Sequence, residues 1–299
     1  MNSEFVQHAL SNGEEGEAWL KRIPDIITDY QKKWKLKVSP PFNLSYNYVA
    51  PTKRLDGSEA VLKIGFPKDK EFQTEIAALE VFNGQGIEKL LEEDRENAVI
   101  LIERVTPGVP LSSLDDDEKA TRILAEIMRR LWKPLPKNHH FITVEEWMQA
   151  IPEYMEKYNG ATSLIPISLV EKANSLFKEL IATSSAPVLV HGDLHHDNVL
   201  SSHRDGWLAI DPKGIAAEPA YETAAMIRNP YEKLKDLPHI DQILRRRILI
   251  LSEELGFDPE RIRKWCFAQS VLSGVWNDAG VKGSEHAINI ATALDTLNV

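Results

Sequence analysis

The chain has 299 residues, a single cysteine and a formal net charge of −10, with 43% hydrophobic and 27% charged residues. This is enough chain of ordinary globular composition for one large domain or two lobes around a sizeable core. The acidic balance argues against bulk nucleic-acid binding, which needs a basic face, and one cysteine leaves no intrachain disulfide to form.

The first residues carry no basic stretch followed by an apolar one, and no run of about 18 apolar residues occurs anywhere. A cytoplasmic protein that neither crosses nor binds a membrane is therefore expected, with a monomer as the default. The negative charge suits a cationic small-molecule partner, although it serves solubility equally well.

Residues 14–35 carry Trp19, Ile23, Ile26, Ile27 and Tyr30 at three- and four-residue steps, the pattern of an amphipathic helix that Pro24 should break or restart. Extended segments follow at 42–50 and 60–64. Asp56-Gly57 between them is a hairpin signal. A helix over 71–82 stops at Gly84, and residues 98–103 read as a buried strand. The Pro- and Gly-rich segment 105–110 is a connector.

Beyond it the spacing predicts helices over 115–132, 143–158 and 168–183. The last two open on capping boxes, Thr143 with Glu146 and Ser168 with Glu171. Short strands are expected at 188–190, 199–200 and 207–210. Helices then run to the end, one of them opened by Asp258-Pro259 and holding Cys266 as a core thiol between Trp265 and Phe267. The order predicts an α+β protein of two lobes, a β-rich one over 1–104 and a mostly helical one over 105–299.

The chemistry is concentrated between two short strands, in His191-Gly192-Asp193-Leu194-His195-His196-Asp197-Asn198. Asp193 and Asn198 stand at the spacing of the kinase catalytic loop, with Gly192 where that loop has arginine. A carboxylate can orient a hydroxyl and take its proton, and a carboxamide oxygen suits Mg²⁺. Asp211 ends the strand Trp207-Leu208-Ala209-Ile210, where kinases place a second metal-binding residue. Lys63 lies in a strand where kinases hold the ATP phosphates, and a glutamate of the next helix should pair with it. Glu75 leads the apolar face of that helix and is expected in this role, with Glu80 next in line.

The run 191–198, followed by Ile210-Asp211-Pro212-Lys213-Gly214 and Glu218-Pro219-Ala220-Tyr221-Glu222, resembles the aminoglycoside phosphotransferases. Within them it is most similar to the aminoglycoside/hydroxyurea antibiotic resistance kinases, a branch that includes streptomycin 6-kinases. Leu101-Ile102-Glu103-Arg104-Val105-Thr106-Pro107-Gly108 is similar to the same branch, and the likeness spans roughly residues 40–230. It implies a bilobal protein-kinase-like fold with ATP between the lobes and its adenine on the backbone near Glu103 and Val105. It further implies Asp193 as the catalytic carboxylate, Asn198 and Asp211 as Mg²⁺ ligands, Lys63 as phosphate anchor and His191 as a brace for the loop. One departure is the phosphate loop, Leu44-Ser45-Tyr46-Asn47-Tyr48, which has no glycine. Ser45 and Asn47 would have to donate from their side chains, and GTP becomes an alternative to ATP. Aminoglycosides are polycations, so carboxylates should line their site. Asp197, Glu218 and Glu222 are the expected ones, with Asp278 and Glu285 as further candidates.

Three other readings compete. The histidines and carboxylates of 191–197 could form the metal cluster of a binuclear phosphoesterase, which would leave Lys63 and Glu75 without a purpose. A nucleotide-binding pseudokinase would be expected to lack one of Lys63, Asp193, Asn198 and Asp211. A kinase of a metabolic alcohol, or of another antibiotic such as a macrolide, would share fold and chemistry and differ in the acceptor pocket alone.

Overall fold

The computed structural model describes residues 3–158, 165–277 and 284–299. Two helices open the chain, α1 (Ser3–Leu10) and α2 (Gly13–Lys33). Pro24 lies inside α2 and does not break it, contrary to expectation. It sits on the exposed face, where the carbonyl it leaves unbonded can meet water. The strands β1 (Leu36–Val38), β2 (Tyr48–Arg54) and β3 (Glu59–Ile64) follow, then α3 (Lys70–Phe82), β4 (Leu90–Asp94) and β5 (Val99–Glu103). The five strands form one antiparallel sheet in the order β1-β2-β3-β5-β4. Asp56-Gly57 makes the β2–β3 turn, where Gly57 has φ +86° and Asp56 accepts the Ser58 N–H at 2.9 Å.

Both faces of this sheet are covered, which is why its inner strands are apolar almost throughout. Ala60, Leu62 and Ile64 of β3 face Phe5, Trp19 and Ile23 of α1 and α2. Val61 faces the opposite way, toward Phe72, Ile76 and Leu79 of α3. Lys63 shares the Val61 side by the two-residue period of a strand, so it is aimed at α3 from the middle of the sheet.

The segment expected as a plain connector contains a strand, β6 (Pro107–Pro110). The helical part holds α4 (Asp117–Leu131), α5 (Val144–Met148), α6 (Ala150–Lys157) and α7 (Ile167–Ala182), with β7 (Lys133–Pro134) and β8 (Ile142–Thr143) between α4 and α5. The Thr143 capping box forms, but the helix it opens is split into α5 and α6. The Ser168 box does not form, because α7 starts one residue earlier, directly after Pro166. Next come β9 (Val188–Val190), β10 (Val199–Ser202), β11 (Gly206–Ala209) and β12 (Ile215–Ala217). Then follow α8 (Thr223–Ile227), α9 (Tyr231–Leu234), α10 (Ile240–Leu255), α11 (Pro259–Trp276) and α12 (Ser284–Thr296). Helix α11 is buried nearly all round and includes Cys266, so it forms the axis of this half.

Two small sheets position the functional loops. One has the order β11-β10-β6, the other β7-β9-β12-β8. The strand after the β-rich half is thus hydrogen-bonded to the strand that follows Asn198. Arg204, in the β10–β11 turn, adds bonds to the Gly84 and Ile87 carbonyls at 2.7 and 2.8 Å and a paired contact to Glu103. Among the described residues no helix is long and apolar enough to cross a membrane.

Candidate active site

Two cavities lie between the halves and meet. The first, of about 430 Å³, is walled by Val49, Val61, Ile102, Leu200 and Ile210, with Glu103 and Val105 at its hinge side and Ser45 and Asn47 above it. The second, of about 1060 Å³, runs from Asp193 past Trp147, Gln269 and Trp276 to His8 and Glu15 of the first two helices. Asn198, Asp211, Lys213, Lys63's partner Glu75 and the 45–47 loop border the second cavity, and all but Glu75 border the first as well.

Lys63 is 4% exposed and donates to Glu75 Oε1 at 2.6 Å. It also pairs with Asp211. Burial pushes the Glu75 carboxyl up to about 7 against the pull of Lys63. Burial works to raise Asp211 too, but Lys63 and Lys213 hold it below the usual carboxylate range. Glu80, the runner-up for the Lys63 pair, binds Arg95 instead. Glu88 was not foreseen. It is buried behind the pair, accepts the Asp211 N–H at 2.9 Å and is pushed up to about 8 by burial. No motif announces it; it is a lone glutamate ahead of the acidic strand β4.

The loop between β9 and β10 is built around its first residues. His191 is fully buried. Its Nε2–H donates to the Ile210 carbonyl at 2.8 Å, so its Nδ1 is the acceptor for the Asp193 N–H at 3.2 Å. Burial pushes this imidazole down to about 4, and it stays neutral with both nitrogens engaged. Gly192 has φ +88°, and a Cβ there would come within 2.4 Å of Ile215. The arginine of other kinases cannot occupy that backbone.

Asn198 Nδ2 donates to the Asp193 carbonyl at 3.0 Å. A carbonyl only accepts, so the amide orientation is fixed and Oδ1 turns away from that contact. Ile210 N–H binds the Asn198 carbonyl at 2.9 Å, which places Asp211 beside Asn198. Asn198 and the 42%-exposed Asp211 carboxylate offer two hard oxygens to the cleft. Mg²⁺ takes one or two protein oxygens and completes its shell with phosphates and water, so the donor set fits a metal shared with a nucleotide. Among the described residues no group of three or more His, Cys, Asp or Glu is placed to hold a metal by itself. His196 is buried, with neither ring nitrogen hydrogen-bonded. The binuclear-cluster reading therefore lacks its ligands.

The glycine-free loop is held by side chains. Tyr46 stacks edge-on against His8 at 4.7 Å, and Lys213 Nζ lies 5.8 Å from the centre of the Tyr46 ring. Lys213, inside the Asp-Pro-Lys-Gly run, thereby reaches this loop from the side of Asp211.

The three carboxylates expected around the acceptor line neither cavity. Glu222 accepts the His191 N–H at 2.6 Å and the Gly192 N–H at 3.0 Å, and is 1% exposed. It straps the loop from behind. Glu218 is 6% exposed and bound by Arg261 at 2.7 and 2.8 Å and by the Trp265 indole. Asp197 is exposed, with its N–H on His195 Nδ1, and lines neither cavity. Glu285 is exposed on α12 and Asp278 lies outside the described residues. Glu15, Asp69 and Glu71 line the larger cavity, and Glu71 lies 3.5 Å from Lys213.

The sequence model of the aminoglycoside/hydroxyurea antibiotic resistance kinases matches residues 35–280. The chain belongs to this family. It is a kinase, a phosphotransferase acting on a hydroxyl group. Its relatives include a streptomycin 6-kinase of Streptomyces glaucescens, 28% identical over 97% of this kinase and 94% of the relative. A hydroxyurea phosphotransferase of Kitasatospora aureofaciens is also 28% identical, over 98% and 85%. Among solved structures, a choline kinase from Streptococcus pneumoniae has the same protein-kinase-like fold, with a TM-score of 0.64 at 18% identity over 92% of this kinase and 98% of that chain.

Proposed function

We propose that this kinase transfers the γ-phosphoryl group of ATP to a hydroxyl of a small cationic molecule, an aminoglycoside such as streptomycin. The observation that carries the reading is the junction of the two cavities at Asn198 and Asp211, with Asp193 on the acceptor side and Lys63 on the nucleotide side. The smaller cavity suits a nucleotide whose base lies against the backbone from Glu103 to Val105, with Ser45 and Asn47 over its phosphates; GTP would fit the same frame. We place the boundary between the nucleotide lobe and the acceptor lobe after Arg104.

In this reading Asp193 orients the acceptor hydroxyl and takes its proton as the new P–O bond forms and the bond to the leaving ADP breaks. Lys63, fixed by Glu75, holds the α- and β-phosphates. Asn198 and Asp211 would hold Mg²⁺, which when bound neutralises charge on the phosphates. Glu222, His191 and Gly192 keep the loop in place.

A second acceptor class is favoured by one observation: Lys68, Lys70, Lys213 and Arg228 line the acceptor cavity beside its carboxylates, a mixed lining rather than the acidic one a polycation calls for. A neutral acceptor such as hydroxyurea, named for one relative, suits that lining.

The test is ADP release with Mg·ATP and a panel of streptomycin, other aminoglycosides, hydroxyurea, a macrolide and choline. Streptomycin turnover that falls by about 10²–10⁴-fold in Asp193→Ala, with ATP still bound, is the expected result. An Asp193→Ala variant that keeps most of its kcat would sink the assignment.

A further inference from the structure

One buried cation is unaccounted for by the reaction just described. Arg228 ends α8 and lines the acceptor cavity. Its side chain is 12% exposed. Nη1 donates to the Ala224 carbonyl at 3.2 Å and to Gln269 Oε1 of α11. Nη2 stands 4.0 Å from Asp193 Oδ1. On the other side of the same carboxylate, His195 Nε2 lies 3.7 Å from Oδ2.

The backbone that carries Arg228 is held as firmly as the side chain. Arg247, itself 1% exposed, donates to the Met226, Ile227 and Asn229 carbonyls at 3.0, 3.1 and 2.6 Å and is neutralised by Asp117. His286 of α12 donates to the Arg228 carbonyl at 2.8 Å. Three helices thus converge to fix one guanidinium at the inner end of the cavity. Such convergence is costly to build around a charge, because burial disfavours an unpaired cation. Arg247 recovers that cost with a full set of partners. Among the described residues Arg228 has Asp193 as the one charged partner of its second amino group, at a distance beyond a hydrogen bond.

That distance is informative. A direct hydrogen bond would occupy an oxygen that must be free to receive the acceptor hydroxyl. A fixed cation at 4.0 Å still attracts the carboxylate, yet leaves its lone pairs open. We propose that Arg228 is a positioning residue for the transfer, holding the Asp193 carboxylate toward the acceptor without hydrogen-bonding to it. The inference rests on the kinase reading, with Asp193 as the base.

Arg228→Gln and Arg228→Lys are compared with wild type on an acceptor the protein uses. Calorimetry with Mg·ATP serves as a control for folding and nucleotide binding. Misplacing the carboxylate by about 1 Å predicts a kcat loss of about 10²-fold in Arg228→Gln, with KM for ATP unchanged. Arg228→Lys restores the charge without the planar fork and should recover about tenfold of that loss. Two kinetic outcomes overturn the proposal: an Arg228→Gln kcat within about threefold of wild type, or equal losses in both variants, which would mean lost packing rather than lost charge. Failure of the kinase reading has a different signature, wild type inactive on every acceptor. Urea unfolding of Arg228→Gln, Asp193→Asn and the double variant then decides. A smaller effect of Arg228→Gln in the Asp193→Asn background supports the pairing, and strict additivity refutes it.

Discussion

Removing the Glu222 carboxylate separates two accounts of that residue. The sequence suggested an acceptor contact, whereas the structure has it accepting the His191 and Gly192 N–H groups at 2.6 and 3.0 Å behind the loop. Glu222→Ala leaves both donors buried and unpaired. At about 1–3 kcal/mol for each stranded donor, the cost is about 4 kcal/mol, a large share of the roughly 5–15 kcal/mol that holds a domain folded. Glu222→Gln keeps one acceptor oxygen and should cost about half as much. Burial pushes the Glu222 carboxyl up to about 7 from an unfolded value of 4.5. A group raised in this way contributes its full stability below pH 4.5 and loses it as pH rises through 7. The Ala variant has no such group, so its cost should be larger at pH 5 than at pH 8. Urea unfolding at both pH values, beside acceptor KM at pH 7, is the assay. A loss below about 1 kcal/mol together with a raised acceptor KM would refute the strap and restore the acceptor contact.

Three further outcomes are expected. Lys63→Met should destabilise by about 3–5 kcal/mol, because Glu75 is left buried without its cation. Glu75→Gln should cost less than half of that, since Lys63 keeps Asp211; equal urea midpoints for the two variants would contradict this asymmetry. Asp211→Ala should abolish the Mg²⁺-dependent part of nucleotide binding, and a calorimetric titration with unchanged Mg·ATP affinity would count against the metal assignment. Asp94 accepts from Tyr30 and Lys33 at 2.6 Å each and ties α2 to β4. Burial works to raise its carboxyl, yet Lys33, Tyr30 and Asn97 hold it at about 2. Its contribution is present above the unfolded value of 3.8 and is lost as pH falls through 2. Asp94→Asn should therefore cost about 1–3 kcal/mol at pH 7, and the gap to wild type should narrow below pH 4.

The parts legible in the sequence were those fixed by neighbours along the chain. Asp56-Gly57 turns where its backbone preference requires, the strand holding Lys63 is a short apolar run buried on both faces, and the loop from His191 to Asn198 keeps its residues at a spacing the backbone enforces. The effect of Pro24 is set by which face of α2 meets water, which its neighbours along the chain do not determine. Strand β4, Leu-Leu-Glu-Glu-Asp, carries no alternation because it is a sheet edge. The direction of a carboxylate was not legible at all. Glu218 finds Arg261 and Trp265 on a helix far along the chain, and Glu222 turns back to a loop that precedes it. Arg228 and Glu88 belong to the same class, since each acquires its meaning from partners on other elements.

Strand β6 and Arg204 together stitch the hinge edge of the molecule. The first pairs with β10, and the second reaches Gly84, Ile87 and Glu103. The contact between Tyr46 and His8 closes another part of the cleft's border with side chains alone, with no strand pairing across it. In the proposed reading nucleotide exchange takes place at that rim, so Tyr46→Ala is expected to speed ADP release, and an unchanged release rate would count against a gate there.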